Sequence, residues 1–381
     1  MSVQFDFDAL IDTCHQHTGP IVMIADVNIV QAKPMAAAIG AELIVWKASE
    51  AAKTRATKEQ LEDVLIEKGY QRNALIIALG GGVTTDLVGF LASTYMRGIS
   101  LVLIPTTLLA MVDAAIGGKT GVNTPLGKNL IGTYYEPTMI YIDTRFLDTL
   151  PEVEWINGLA EVAKYGLACD QSIWDQLSLI PLVIEESVPG GVGFSADSLS
   201  SLAAVRSRAR PLAPDRESTE ASLPVSRFFN PLRYRPDRRV IEACIRAKLR
   251  VTSADYREQG LRRVLNFGHT IAHAIEAVSN YTIPHGTAVA MGCIAETKVS
   301  TALGYLAPTT CDAIVKRFTQ LHLPTDLPYD IDQLIEKARY DKKGSLRFVC
   351  IDEIGHAVPF GGSYVREVDL TCLTSIFAPA K

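Results

Sequence analysis

The chain has 381 residues, 48% of them hydrophobic and 21% charged, with a mean hydropathy of +0.15. This fits a compact soluble enzyme of two domains and excludes a tail or scaffold. Its net charge of −5 gives no general affinity for nucleic acid, and no apolar run is long and uninterrupted enough to span a bilayer.

The first 20 residues carry Asp6, Asp8 and Asp12, so no signal peptide of ordinary form is expected. Residues 21–25, 42–46, 74–79, 100–104 and 139–142 are short apolar runs separated by helical material, the fourth stopped by Pro105. Strands alternating with helices predict an α/β domain over residues 1–150, built on a largely parallel sheet. Beyond Leu150-Pro151 the pattern changes. Residues 152–167, 240–254, 270–278 and 287–303 read as helices, which predicts an α-helical domain over 151–381 with one late hairpin at 346–358. Residues 187–239 stand apart, with Pro-Gly-Gly, repeated serines and nine arginines from Arg206 to Arg239. Without apolar periodicity this segment reads as a flexible insertion, and an anion- or partner-binding arm is the alternative. The seven cysteines are scattered and form no C-x-x-C pair, so all read as reduced and structural, in a cytoplasmic protein.

Three glycines follow the third apolar run, in Ala78-Leu79-Gly80-Gly81-Gly82-Val83-Thr84-Thr85-Asp86. Backbone without Cβ lets N–H groups approach a phosphate, and the helix that follows points its positive end at the anion. Two Gly-Lys pairs come next, in Gly118-Lys119-Thr120-Gly121 and Gly127-Lys128-Asn129. Together they predict a phosphorylated ligand.

Metal-ligating residue types lie further on. Glu161 sits in an apolar helical stretch with little other charge. His269 and His273 are four apart, on one face of a helix, and His285 opens another apolar segment. Two imidazoles and a carboxylate suit a zinc-like ion with an open position for substrate. Spacing alone does not select between His269 and His273, and the absence of H-E-x-x-H argues against a metalloprotease of that type.

At these residues the chain resembles the 3-dehydroquinate synthases of the sugar-phosphate cyclase family. The match covers residues 21–182 and 240–355, and is most specific at 79–86, 95–98, 105–132, 158–166, 258–273 and 285–292. The resemblance implies a Rossmann-like N-terminal domain, an all-α C-terminal domain and an active site between them. It implies Glu161, His269 and His285 as ligands of one zinc or cobalt ion. It implies NAD contacts from Asp26, Asn28, Glu50, Lys53, Gly81, Gly82, Val83, Asp86, Thr106, Thr107, Phe146, Leu147, Asp148 and Thr149. Asp113, Lys119, Lys164, Glu258 and His273 match catalytic positions. Lys128, Asn129, Lys248, Arg262 and Asn266 match substrate contacts, and a late lysine is either Lys342 or Lys343. The residue matching Arg97 reaches the substrate phosphate of a neighbouring subunit, which implies a homodimer.

The implied reaction converts 3-deoxy-D-arabino-heptulosonate 7-phosphate into 3-dehydroquinate and phosphate, with NAD reduced and reoxidised in one turnover. Other cyclases, making valiolone or deoxy-inosose rings, are the nearest alternative. A glycerol-dehydrogenase-like oxidoreductase and an inactive binding relative are further ones. The chain departs from the family in having His285-Gly286-Thr287 where His-Gly-Glu is usual, and in the arginine-rich segment.

Overall fold

The computed structural model describes residues 2–178, 237–342 and 346–377. In chain order the first part contains β1 (Ser2–Gln4), α1 (Phe7–Gln16), β2 (Ile21–Asp26), α2 (Ala32–Ala38), β3 (Glu42–Trp46), α3 (Arg55–Glu67), β4 (Leu75–Gly80), α4 (Gly82–Thr94) and β5 (Ser100–Pro105). A hairpin of β6 (Lys119–Thr124) and β7 (Gly127–Tyr134) precedes β8 (Met139–Tyr141). Six of these strands form one parallel sheet in the order β1-β8-β5-β4-β2-β3. Every residue of β4 is buried. A strand covered on both faces reads as an uninterrupted apolar run, which is why the central strands were visible in the sequence.

Two features differ from expectation. Ser2–Gln4 joins the sheet as an edge strand, with Val3 opposite Ile140; three residues, two of them polar, carry no strand pattern. The two Gly-Lys stretches are the antiparallel arms of one hairpin, β6 against β7, a pairing the sequence reading did not include.

The second part is helical: α5 (Glu152–Ala168), α6 (Gln171–Ser178), α7 (Arg238–Ala254), α8 (His269–Val278), α9 (His285–Ala302), α10 (Pro308–Gln320), α11 (Ile331–Lys342) and α12 (Leu370–Phe377). Helix α7 starts two residues before the predicted boundary because the Asp237 side chain accepts from the Arg239 N–H. Three residues of the 187–239 segment therefore belong to this cap and helix, and 187–236 lie outside the described residues. Four short strands separate α11 from α12: β9 (Arg347–Phe348), β10 (Ile351–Glu353), β11 (His356–Ala357) and β12 (Arg366–Glu367). The expected hairpin at 346–358 is narrower than read. Strands β10 and β11 pair with each other, while β9 pairs with β12.

Close helix crossing seats the site. Gly268 has φ +82, and a Cβ there would lie 2.6 Å from Cys293 Sγ; a Cβ on Gly292 would lie 2.0 Å from the Gly268 carbonyl oxygen. Only glycines let the start of α8 rest directly on α9. Helix α5 is buried from Asn157 to Ala168, so Glu161 and Lys164 sit in the protein interior. All seven cysteines are free thiols.

Candidate active site

Each metal-ligand candidate comes from a different helix. Glu161 is in the middle of α5, and His269 and His285 are the first residues of α8 and α9. Glu161 Oε1 lies 3.5 Å from His269 Nε2 and 3.3 Å from His285 Nε2. The three ligand atoms fall within 4.8 Å of one another, close enough to share an ion. His273, one turn along α8, puts its ring 5.4 Å from that of His269 and edge-on. Among the described residues, the group close enough to share an ion includes His269 and not His273.

Both imidazoles are turned the right way for a metal. His269 Nδ1 is 3.2 Å from the Phe267 carbonyl oxygen. A carbonyl only accepts, so Nδ1 carries the hydrogen and Nε2 keeps its lone pair. His285 Nδ1 lies 3.4 Å from Glu276 Oε2, which likewise leaves Nε2 facing Glu161. Glu161 is fully buried, and neither of its carboxylate oxygens has a hydrogen-bond partner. Lys164 Nζ stands 2.5 Å from Oε2, a buried ion pair that sets positive charge beside the carboxylate. A buried carboxylate with open lone pairs, facing two imidazole nitrogens, fits a divalent ion with N,N,O donors.

Burial and neighbouring charge set the ionisation of these groups in the metal-free chain. Burial works against ionisation of Glu161, but Lys164 and the two histidines outweigh it and hold the carboxyl at about 2. Burial, reinforced by Lys164, pushes His269 down to about 3, so it stays neutral. Burial also disfavours charge on His285, yet Glu161 and Glu276 on either side raise it to about 10 in the metal-free chain.

A second cluster adjoins this one through Lys164. Asp113 lies in a π-helical turn, Ala110–Ala114, and accepts at Oδ1 from the Tyr165 hydroxyl at 2.6 Å. Lys248 Nζ donates to the Asp113 carbonyl and to Oδ1, each at 2.5 Å. Burial opposes charge on Asp113, and Lys164 and Lys248 overcome it, keeping the carboxyl well below its ordinary range. Nearby, Lys119 pairs with Glu258, which also accepts from Asn266 Nδ2 at 2.5 Å. Arg262 is buried with its guanidinium donating to the carbonyls of Tyr256 and Gly117, at 2.6 and 2.9 Å.

On the sheet side, Gly81 caps α4 and Val83 and Asp86 lie in its first two turns. Lys53 is buried and donates to Asp86 Oδ2 at 2.5 Å and to Asn129 Oδ1 at 2.7 Å, which ties the glycine turn to the hairpin. Glu50 Oε1 accepts from Asn123 of the hairpin at 2.7 Å. Thr106 donates its N–H to the Gly80 carbonyl, and Thr107 Oγ1 accepts from Ala110. Asp26 and Asn28 pair with each other at the end of β2. Phe146 and Leu147 are buried in a 3-10 turn, with Asp148 and Thr149 exposed beside them. Arg97 is exposed in left-handed backbone, φ +67. Lys342 ends α11, and Lys343 lies outside the described residues.

Three site residues were not among the predicted ones. Tyr165 follows Lys164 directly, Glu276 lies three residues after His273 on the same face of α8, and Asn157 Oδ1 accepts from the Gly286 N–H at 2.9 Å. Glu276 alone carried a usable signal, its helical spacing from His269 and His273.

Residues 43–157 match the family described as 3-dehydroquinate synthase N-terminal, and residues 220–344 match 3-dehydroquinate synthase C-terminal. The 3-dehydroquinate synthase of Synechococcus sp. is 39% identical over 321 residues, covering 83% of this chain and 76% of the relative. The pentafunctional AROM polypeptide of Komagataella phaffii is 37% identical over 84% of this chain, which spans 20% of that relative's length. Among solved structures, 2-epi-5-epi-valiolone synthase from Streptomyces hygroscopicus subsp. jinggangensis, with NAD+ and Zn2+ bound, is 25% identical with a TM-score of 0.74, covering 98% of this chain and 94% of that one. The chain belongs to the 3-dehydroquinate synthase family.

Proposed function

We propose that the chain is a 3-dehydroquinate synthase, a carbon–oxygen lyase of the shikimate pathway. It converts 3-deoxy-D-arabino-heptulosonate 7-phosphate into 3-dehydroquinate and inorganic phosphate. It acts in the cytoplasm as a homodimer, residues 1–150 binding NAD and 151–381 binding metal and substrate. The observation that carries this reading is the buried Glu161 carboxylate, open at both oxygens, faced by two imidazole Nε2 atoms and joined through Lys164 to the Asp113–Lys248 pair.

When bound, NAD takes up and returns a hydride within one turnover, and a zinc or cobalt ion acidifies the hydroxyl being oxidised. Glu161, His269 and His285 hold the ion. Asp26, Asn28, Glu50, Lys53, the Gly81–Asp86 turn, Thr106, Thr107 and residues 146–149 hold the dinucleotide. Lys119, Lys128 and Lys248, with Asn129, Arg262 and Asn266, surround the substrate, and Arg97 reaches its phosphate from the neighbouring protomer. Cations already oriented toward the ester lower the barrier to its departure. Oxidation of the secondary alcohol to a ketone acidifies the adjacent C–H. The carbon–oxygen bond to phosphate then breaks as that proton passes to the phosphate's own oxygen, leaving a carbon–carbon double bond. With the alcohol restored, the ring would open and an intramolecular aldol addition would close the carbocycle. His273, beside His269, is placed to relay a proton through water.

The test is to follow NADH and phosphate together during turnover of the heptulosonate phosphate. Phosphate release with no lasting NADH supports the reading; NADH accumulating in step with substrate contradicts it and favours a polyol dehydrogenase.

A further inference from the structure

The family's usual His-Gly-Glu is His285-Gly286-Thr287 here, so residue 287 offers no carboxylate to the metal ligand beside it. A carboxylate nevertheless meets His285. Glu276, on α8, places Oε2 3.4 Å from His285 Nδ1 and Oε1 2.9 Å from Lys128 Nζ. Its side chain is 5% exposed, so these two partners account for a charge that burial would otherwise make costly. Lys128 is further held over the Tyr281 ring, 4.4 Å from its centroid.

We infer that Glu276 is the positioning residue of the metal centre: one oxygen orients His285 through Nδ1, and the other holds Lys128 of the hairpin. The inference rests on the metal reading given above for Glu161, His269 and His285. The physical ground is that a metal-binding imidazole donates its second N–H to an acceptor, which fixes its ring and strengthens its lone pair. His269 uses the Phe267 carbonyl for this, and His285 uses a full negative charge. Glu276 also shares α8 with His269, so one helix supplies a ligand and the orienting group of another. Because its second oxygen holds Lys128, a group expected at the substrate, the hairpin and the metal ligand are set by one side chain.

The experiment measures Zn2+ affinity of the full chain by competition with a chromophoric chelator, and the visible absorption of the Co2+-loaded protein. Glu276→Ala is expected to weaken Zn2+ binding by about 10–100-fold and to change the Co2+ spectrum. Glu276→Gln keeps an acceptor oxygen without the charge and is expected to lose less. Thr287→Ala and Lys128→Ala are expected to leave Zn2+ affinity within about threefold, since neither removes the acceptor at Nδ1. Should the alanine variant not fold, the near-isosteric glutamine variant carries the test through its affinity and its spectrum. Wild-type affinity and spectrum retained in both Glu276 variants overturn the inference alone. A wild-type chain that binds no Zn2+ overturns the metal reading and the inference with it.

Discussion

Lys248 and Asp113 stand 135 residues apart in the chain, yet the lysine Nζ donates to both the backbone carbonyl and Oδ1 of Asp113, at 2.5 Å each. The contact joins α7 to the π-helical turn after β5, and therefore joins the helical part to the sheet part. Its side chains are 8% and 21% exposed, so solvent screens it little. Removing one partner of such a pair costs about 3–5 kcal/mol. Lys248→Met is expected at the lower end of that range, because Lys164 continues to face Asp113. Tyr165→Phe, which deletes a hydrogen bond to the same carboxylate, should cost about 1.5–3 kcal/mol. Urea unfolding of both variants checks this, and midpoints equal to wild type contradict it.

How much of this was legible in the sequence depends on the range of the interaction. Strands β2, β4, β5 and β8 are apolar because both faces are covered, a local signal. Strand β1 exists only because Ser2–Gln4 finds β8, and nothing in three residues announces a partner more than 130 positions away. The hairpin was hidden by its own glycines and lysines, which drew attention to a phosphorylated ligand instead of to a strand pair. At the site, Glu161, His269 and His285 were visible as polar residues in apolar, glycine-flanked stretches. The partners of Asp113 were not, because an i-to-j pairing between distant segments leaves no periodicity. Glu276 was missed although its spacing from His273 was in plain view; a lone acidic residue on a helix is ordinarily a solvated one.

Metal ligation makes a sharper prediction at His269. Its ring is neutral with Nε2 facing Glu161, so if it is a ligand His269→Ala should abolish stoichiometric Zn2+ binding and turnover together. Retention of both by the variant removes His269 from the centre.

Lys119 tests the phosphate site. It pairs with Glu258 and is half exposed, so its loss should barely affect folding. If it holds the leaving phosphate, Lys119→Ala should lower kcat by about 10²–10³-fold while NAD affinity stays close to wild type. Equal kcat, or an equal loss of NAD binding, contradicts the assignment.

Acid stability of the metal-free protein follows from two carboxyls. Burial works against charge on Glu161 and on Glu276, and their cationic neighbours outweigh it, holding each at about 2 against an ordinary 4.5. A folded pKa below the unfolded one means that the unfolded state binds more protons in that interval. The stabilisation is therefore complete above 4.5 and is lost as pH falls toward 2. His285 acts in the opposite window. Burial disfavours its charge but Glu161 and Glu276 raise it from 6.5 to about 10, so its contribution is present below 6.5 and lost as pH rises through 10. Thermal melting across pH should show both declines, with Glu276→Gln flattening each. A profile unchanged by that substitution contradicts the assignment of charge.

The central claim is that one cleft uses a dinucleotide and a divalent ion together to expel phosphate from a sugar phosphate. The most direct measurement is phosphate release from 3-deoxy-D-arabino-heptulosonate 7-phosphate by the purified chain, with NAD and Zn2+ supplied or withheld in turn. The account predicts release only when both are present, with a chelator stopping it and added Zn2+ or Co2+ restoring it. Full release after NAD has been stripped away, or in the presence of excess chelator, would contradict it.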